Sequence, residues 1–146
     1  MTDEQIAKRN WLNRPYYAEK KLNALYDKCK RDRERAERVS QVYGGIDKGK
    51  SDNRENGTQK LMDVLTDSIE EYEKYAEEYV EIRREAEKAI ATLDDAELEA
   101  IFIHRHLNYA KVDKIAEIMH YSSRTILDKY KKGLEKFAPN FIEFHF

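Results

Sequence analysis

A long, unbroken stripe of apolar residues constrains this chain more than any other feature. Between residues 61 and 93 apolar side chains recur at steps of three and four, and one set falls at every seventh position: Leu65, Tyr72, Tyr79, Ala86 and Leu93. This is the period of an α-helix in a coiled coil. A helix of roughly 35 residues is about 50 Å long, too long to be buried within a small globule. The stripe therefore predicts a helix, from about residue 58 to 93, that lies along a partner helix.

The nearest candidate partner is a second helix, predicted at residues 16–42. Pro15 can occupy its first turn, where the missing N–H is not needed, and its apolar stripe is interrupted only near Asp32. Residues 44–58 are rich in Gly, Asn, Asp and Ser and lack periodicity, which predicts a flexible loop. The two helices would then fold back on each other as an antiparallel hairpin. A second copy of the 61–93 helix is the other candidate, and it would make a homodimer.

Charge is distributed unevenly along the chain. Residues 8–38 contain 11 Lys/Arg and 5 Asp/Glu, residues 61–99 contain 4 and 14, and residues 100–146 contain 8 and 5. The basic first segment could pair with the acidic middle segment, or it could face nucleic acid. Surface charge usually has no ligand, so mutual pairing with solvation is the simpler interpretation.

Residues 113–137 have the layout of a helix-turn-helix. Apolar residues at helical spacing give each of two short helices one apolar face: Ile115, Ala116 and Met119 in the first, and Ile126, Tyr130, Leu134 and Phe137 in the second. The segment His120–Ser123 separates them, and the hydroxyl of Ser122 or Ser123 can cap the second helix. The pair Asp94-Asp95 is predicted to start a lead-in helix, as cap and first-turn acid. This helix is predicted to end near Asn108, which can close it in the left-handed conformation. The predicted fold class is all-α, with a helical hairpin over 1–93, a helix-turn-helix domain over 94–138 and an aromatic tail over 139–146.

Several function classes find no support in the residues. The one cysteine, Cys29, excludes an internal disulfide framework, and neither a signal peptide nor an apolar run of membrane-spanning length occurs, which predicts a cytoplasmic protein. His104 and His106 point to different faces of a helix and cannot hold one metal ion. The letters from Gly44 to Ser51 match a nucleotide loop, but a charged helix precedes them where a buried strand is required. We therefore expect no enzyme, no metal and no cofactor.

The segment Leu93–Phe137 resembles a known DNA-binding domain. It is similar to the fourth conserved region of bacterial sigma factors, and more closely to the small phage and prophage regulators of the ArpU and RinA late-activator type. The residues that carry the resemblance are Leu93-Asp94-Asp95, Arg105-His106-Leu107-Asn108, Lys114-Ile115-Ala116-Glu117 and Tyr121-Ser122-Ser123-Arg124-Thr125-Ile126. The chain departs from the family at Tyr109, where a glycine is usual, and at His120, where the turn commonly has Gly or Asn. The resemblance implies a regulator of phage or prophage late genes in the bacterial cytoplasm, with double-stranded DNA as partner and RNA polymerase as a candidate second partner.

The predicted DNA-binding residues lie in the second helix, 123–137, and just before it. They are Lys111, Lys114, Ser122, Ser123, Arg124, Thr125, Asp128, Lys129, Lys131 and Lys132. A helix-turn-helix places the start of its second helix in the major groove, where Arg124 could pair with guanine while hydroxyls and lysines suit phosphates. Two alternatives stay open: a DNA-packaging subunit similar to a phage small terminase, and a protein-interaction adaptor that does not bind DNA.

Overall fold

The computed structural model describes residues 1–44 and 52–137, and this part of the chain is all-α. Its elements, in chain order, are α1 (Asp3–Leu12), α2 (Arg14–Gly44), α3 (Asp52–Ala91), α4 (Ala96–Phe102), a π-helical turn (Ile103–Leu107), α5 (Val112–Met119) and α6 (Ser123–Lys136). None of the described helices combines the length and the apolar character that a membrane span needs. The aromatic tail at 139–146 lies outside the described residues, as does most of the nucleotide-loop-like segment.

Two compact units make up the described chain. The hairpin unit is residues 20–78, and the terminal unit is residues 1–19 together with the described residues from 79 onward. Each long helix contributes to both units. This division differs from the boundary at residue 93 drawn from the sequence, because Trp11 and Leu12 share one apolar core with residues of the C-terminal half.

The core of the terminal unit collects residues from both ends of the chain. Its buried side chains are Trp11, Leu12, Ala86, Ala89, Ile90, Leu93, Leu98, Ile101, Phe102, Leu107, Ile115, Ala116, Ile126, Tyr130, Leu134 and Phe137. The Trp11 and Phe137 rings are 6.0 Å apart between centroids, although they come from opposite ends of the described chain. The helix α1, which sequence patterning did not reveal, is therefore a structural part of this unit. Its start is fixed by a capping box in which Thr2 and Gln5 each satisfy the other's backbone N–H.

A π-helical turn follows α4 and changes which residues face the core. Its widened hydrogen bond runs from the Asn108 N–H to the Ile103 carbonyl at 2.9 Å. With the extra residue in the turn, His106 and Leu107 are both buried. The left-handed residue that ends this segment is Tyr109, with φ 59°, whereas Asn108 has φ −99°. The prediction that Asn108 would adopt the left-handed conformation is thus wrong by one residue.

In the hairpin unit, α2 and α3 run antiparallel. Contacts join Lys21 to Tyr75, Tyr26 to Tyr72, Lys28 to Glu71 and Cys29 to Ser68, so one residue number falls as the other rises. The interruption of the α2 stripe at Asp32 is filled by a polar contact, in which the buried Ser68 hydroxyl donates to the buried Asp32 carboxylate. α3 begins at Asp52, earlier than the predicted start near residue 58, so the predicted loop at 44–58 is helical from residue 52. Residues 45–51 of that loop lie outside the described residues.

Candidate nucleic-acid interface

A three-residue turn connects α5 to α6. His120 adopts φ 59° and ψ 41°, the left-handed conformation, and the N–H groups of His120 and Tyr121 both reach the Ala116 carbonyl. Ser122 then caps α6 by accepting a hydrogen bond from the Thr125 N–H at 3.1 Å. Of the two serines predicted as possible caps, Ser122 is the one that caps α6. The turn fixes the direction in which α6 leaves α5.

α6 is held in the core through one face. Ile126, Tyr130 and Leu134 are buried at helical spacing. Gly133 lies on the same face, where the buried Phe102 ring leaves no room for a side chain: a Cβ at this position would be 2.4 Å from Phe102 Cε1. The opposite face of α6 is consequently the one presented to solvent.

Contacts from α1 hold the C-terminal half of α6. The buried Lys8 Nζ donates to the Leu134 carbonyl at 2.9 Å, and Gln5 Nε2 donates to the Lys131 carbonyl at 3.4 Å. Lys8 also lies 3.3 Å from Glu4. A cation near the last turn of a helix interacts favourably with the helix dipole and with carbonyls that have no partner within the helix. α1 thereby fixes the position of α6 in the terminal unit.

A buried hydrogen-bond chain crosses the terminal unit beneath α6. The Tyr130 hydroxyl lies 2.8 Å from His106 Nε2, and His106 Nδ1 lies 3.1 Å from Asn13 Oδ1. In a neutral imidazole Nδ1–H donates to Asn13 while Nε2 accepts from Tyr130, which satisfies both ring nitrogens. Burial above all, together with the positive charges of the nearby Arg105 and Arg9, lowers the pKa of His106 to about 3. Burial likewise raises the pKa of Tyr130 far above its usual value, against the opposing effect of the same two arginines.

The exposed face of α6 presents a row of polar and charged side chains with one apolar residue among them. Its members are Arg124, Leu127, Asp128, Lys131 and Lys132, and the exposed Glu135 and Lys136 follow in the last turn of the helix. No salt bridge within the described residues involves Arg124, Lys131 or Lys132. These three cations can therefore approach an anionic partner without first breaking an internal ion pair.

Lys129, by contrast, is already neutralised. Its Nζ donates to Glu97 Oε1 of α4 at 2.5 Å and lies 5.1 Å from the centre of the Tyr121 ring. The Tyr121 hydroxyl donates to the other Glu97 oxygen at 2.6 Å. Hydrogen bonds from Lys129 and then Tyr121 lower the pKa of Glu97, and the same Glu97 contact raises the pKa of Lys129. The structure thus separates Lys129 from the other predicted lysines of α6.

The remaining predicted residues are placed around the start of α6. Ser123 is half-buried and donates to Asp113 Oδ1 at 2.7 Å, which joins the first turns of α5 and α6. Thr125 is half-buried and its hydroxyl contacts that of Ser122 at 2.8 Å. Lys111 is exposed at the N-cap of α5, and Lys114 is exposed and 3.7 Å from Glu117. Ser122, Ser123 and Thr125 therefore build the turn, and the lysines surround it.

Three residues on or beside this face were not among the residues predicted from the sequence to bind DNA. Leu127 was not among the predicted residues, yet its side chain is 41% exposed between Arg124 and Lys131. Arg9 of α1 and Arg105 of the π-helical turn line a pocket together with Leu127 and Lys131. The exposed position of Leu127 could have been found from the helical period alone, whereas Arg9 is brought here by a contact between chain ends.

Comparison with known proteins yields no relative. No protein-family model, no curated protein and no solved structure matches this chain.

Proposed function

We propose that this protein binds double-stranded DNA, with α5 and α6 acting as a helix-turn-helix and α6 entering the major groove. The observation that carries the proposal is the exposed row on α6, in which Arg124, Lys131 and Lys132 have no ion-pair partner within the described residues. α6 has 14 residues, so it is about 21 Å long. A single helix of this kind fits the major groove, which is about 12 Å wide.

The chemistry of the row suits the reading of base edges. Arg124 lies in the first turn of α6 and can donate two hydrogen bonds to the O6 and N7 atoms of guanine. Asp128, one turn later, can accept from the amino group of cytosine, and Leu127 can contact the methyl group of thymine. Lys131 and Lys132 suit phosphates, as do Arg9 and Arg105 beside the helix.

The biological role that we propose is transcription regulation in a phage or prophage setting, with RNA polymerase as a candidate partner. Its support is the resemblance of residues 93–137 to sigma-like regulators and the short turn that fixes α6 against α5. The modest positive charge of the C-terminal segment favours a protein that acts with a second DNA contact, because a small number of phosphate contacts gives weak and salt-sensitive affinity.

The direct test is selection of duplexes from a randomised library by the full-length protein at low salt, followed by binding titrations on the selected site. We expect one enriched motif. Arg124→Ala should reduce affinity for it by about 1–3 kcal/mol and relax the preference at one base pair. Lys136→Ala is the matched control, since it removes one positive charge from the exposed last turn of the same helix.

Two results would contradict the proposal. One is a selection in which no motif is enriched; this outcome favours the adaptor interpretation. The other is Arg124→Ala binding the enriched site as tightly as the unmodified protein does. Transcription in vitro from a template that carries the motif then separates a regulator, which changes transcript yield, from a packaging subunit, which does not.

A further inference from the structure

One side of the hairpin unit carries a continuous apolar stripe on each helix. On α2 the stripe consists of three residues at steps of four and three: Leu22, Tyr26 and Cys29. On α3 it consists of five residues at alternating steps of three and four: Met62, Leu65, Ile69, Tyr72 and Ala76. Residues at such steps share one face of a helix. The Tyr26 and Tyr72 rings, one from each stripe, lie 5.9 Å apart between centroids. The two stripes therefore join into one surface, which we call the apolar face.

None of the eight residues of the apolar face is buried. Tyr26 is 57% exposed and Met62 is 46% exposed, and the other six are half-buried. The residues that are buried in the described part of the hairpin unit are Leu25, Asp32, Ala36 and Ser68. Two of these four are polar, so the contact between α2 and α3 leaves most of the large apolar side chains of this unit in partial contact with water. A seam of this kind is typical of helices that pack against further helices.

Two further contacts between α2 and α3, both made by lysines of α2, lie along the other edge of the hairpin. Lys28 pairs with Glu71 at 3.3 Å, and Lys21 Nζ lies 4.3 Å from the centre of the Tyr75 ring. Lys21 and Lys28 are seven residues apart, and Glu71 and Tyr75 are four apart, so each pair shares one edge of its helix. The hairpin unit is thus amphipathic, with an ion pair and a cation–ring contact on one edge and the apolar face on the other.

The charges of the two helices indicate which partner fits. Residues 20–38 of α2 contain eight Lys/Arg and four Asp/Glu, whereas residues 61–78 of α3 contain one and seven. A two-fold axis between two copies brings the same surface of each together, so that the basic α2 of one copy can pack beside the acidic α3 of the other. A nucleic acid would be repelled by α3 and is a poor occupant of this face.

We propose that the apolar face binds the same face of a second copy of this chain, so that two hairpin units form a four-helix bundle. Apolar side chains that are half-buried in one copy become its core, and the opposite charges of α2 and α3 set the orientation of the pair. This interaction is independent of DNA binding, and it is tested without DNA.

The test is the mass of the full-length protein, measured by size-exclusion chromatography with light scattering over about a hundredfold range of concentration. We expect a dimer. Met62→Glu should weaken dimerisation by about tenfold or more, because it places an unpaired charge in the new core. Val64→Glu is the matched control: Val64 is 47% exposed, lies two residues away on the same helix and is outside the apolar face, so this variant should remain a dimer.

Both variants change side chains that are already exposed within one copy, so neither should unfold the hairpin, and circular dichroism checks this. Tyr26→Lys gives a second, independent disruption from α2. A protein that is a monomer at every concentration would overturn the proposal. Equal loss of dimer in the Met62 and Val64 variants would do so too, as would a ring of higher order that all three variants leave intact.

Discussion

Gly133 shows how closely a single residue can set the distance between two elements. A Cβ at this position would lie 2.4 Å from Phe102 Cε1 and 2.7 Å from Cζ, and the Phe102 ring is fully buried. Non-bonded carbon atoms cannot come this close to each other. Any larger residue at position 133 must therefore displace the Phe102 ring or shift α6. The approach of α4 to α6 therefore depends on the missing side chain.

We expect Gly133→Ala to lower the free energy of unfolding. Overpacking of a core costs about 1–3 kcal/mol, partly offset by the roughly 1 kcal/mol that alanine gains over glycine in a helix. Gly57→Ala is the control, because Gly57 lies in α3 with nothing within 4 Å of the added Cβ, and this variant should be neutral or more stable. Urea unfolding measures the free energy of unfolding of both variants. If Gly133→Ala were stabilised as much as Gly57→Ala, the prediction would be wrong, because the Phe102 ring would then move aside without cost.

The left-handed backbone at His120 and at Tyr109 has a different structural explanation in each case. His120 and Tyr109 both have a φ of 59°, a region that glycine or asparagine adopts more easily. His120 simply closes α5. Tyr109 makes contacts that a glycine could not: its hydroxyl is 3.4 Å from that of Tyr79, and its ring is 5.4 Å from that of Tyr16. These contacts offset the strain of its backbone and fix the segment before α5.

At the scale of elements, His106 connects three parts of the terminal unit: the junction of α1 and α2 through Asn13, the π-helical turn, and α6 through Tyr130. Buried polar groups of this kind are stable only when each is satisfied, as both ring nitrogens are here. The histidine must stay neutral to remain in place, since burial lowers its pKa to about 3.

This predicts a pH dependence of stability with a definite sign. The unfolded chain binds a proton at His106 below about pH 6.5, and the folded chain does not until about pH 3, so stability should fall as pH decreases through that window. Uptake of one such proton by the unfolded chain lowers the free energy of unfolding by about 1.4 kcal/mol per pH unit, or about 2 kcal/mol between pH 7 and pH 5.

Urea unfolding at the two pH values should show this loss in the unmodified protein and a smaller loss in His106→Gln. Titration of the His106 ring by NMR is a check that does not depend on the variant; protonation of the folded protein near pH 6 would contradict the prediction.

At the scale of the molecule, the two units have unequal cores. The terminal unit buries sixteen apolar residues in one cluster, whereas Leu25 and Ala36 are the buried apolar residues in the described part of the hairpin unit. Stability from burial grows with the apolar area removed from water. The hairpin unit should therefore unfold first.

The single tryptophan makes this measurable. Trp11 is buried in the terminal unit, so its fluorescence reports on that unit, while far-UV circular dichroism reports on the helices of both. In urea we expect the dichroism to begin to fall before the fluorescence changes, which departs from two-state behaviour. If the hairpin units dimerise, the midpoint of the first transition rises with protein concentration. Coincident curves from the two probes would show that the units unfold together.

The helices that depend on local chemistry were predictable from the sequence. Period, caps and turn residues lie within a few positions of each other, and so the start of α4 at the Asp94-Asp95 pair, the cap of α6 at Ser122 or Ser123 and the all-α class were predicted. The cap of α4 proved to be Asp95, one residue after the predicted Asp94. The outward face of α6 also follows from its period. Leu127 is the one member of that face that could have been predicted and was overlooked.

Tertiary structure alone decided what depends on contacts between distant residues. The hydrogen bond of Lys8 to Leu134 spans 126 positions, and that of His106 to Asn13 spans 93, so no local pattern could indicate either. For the same reason the sequence placed Lys129 with the free lysines, although Glu97 of another helix neutralises it. Hydrogen bonds and charges within a turn are set by neighbours in the chain, whereas burial and pairing are set by whichever surfaces meet when the helices pack.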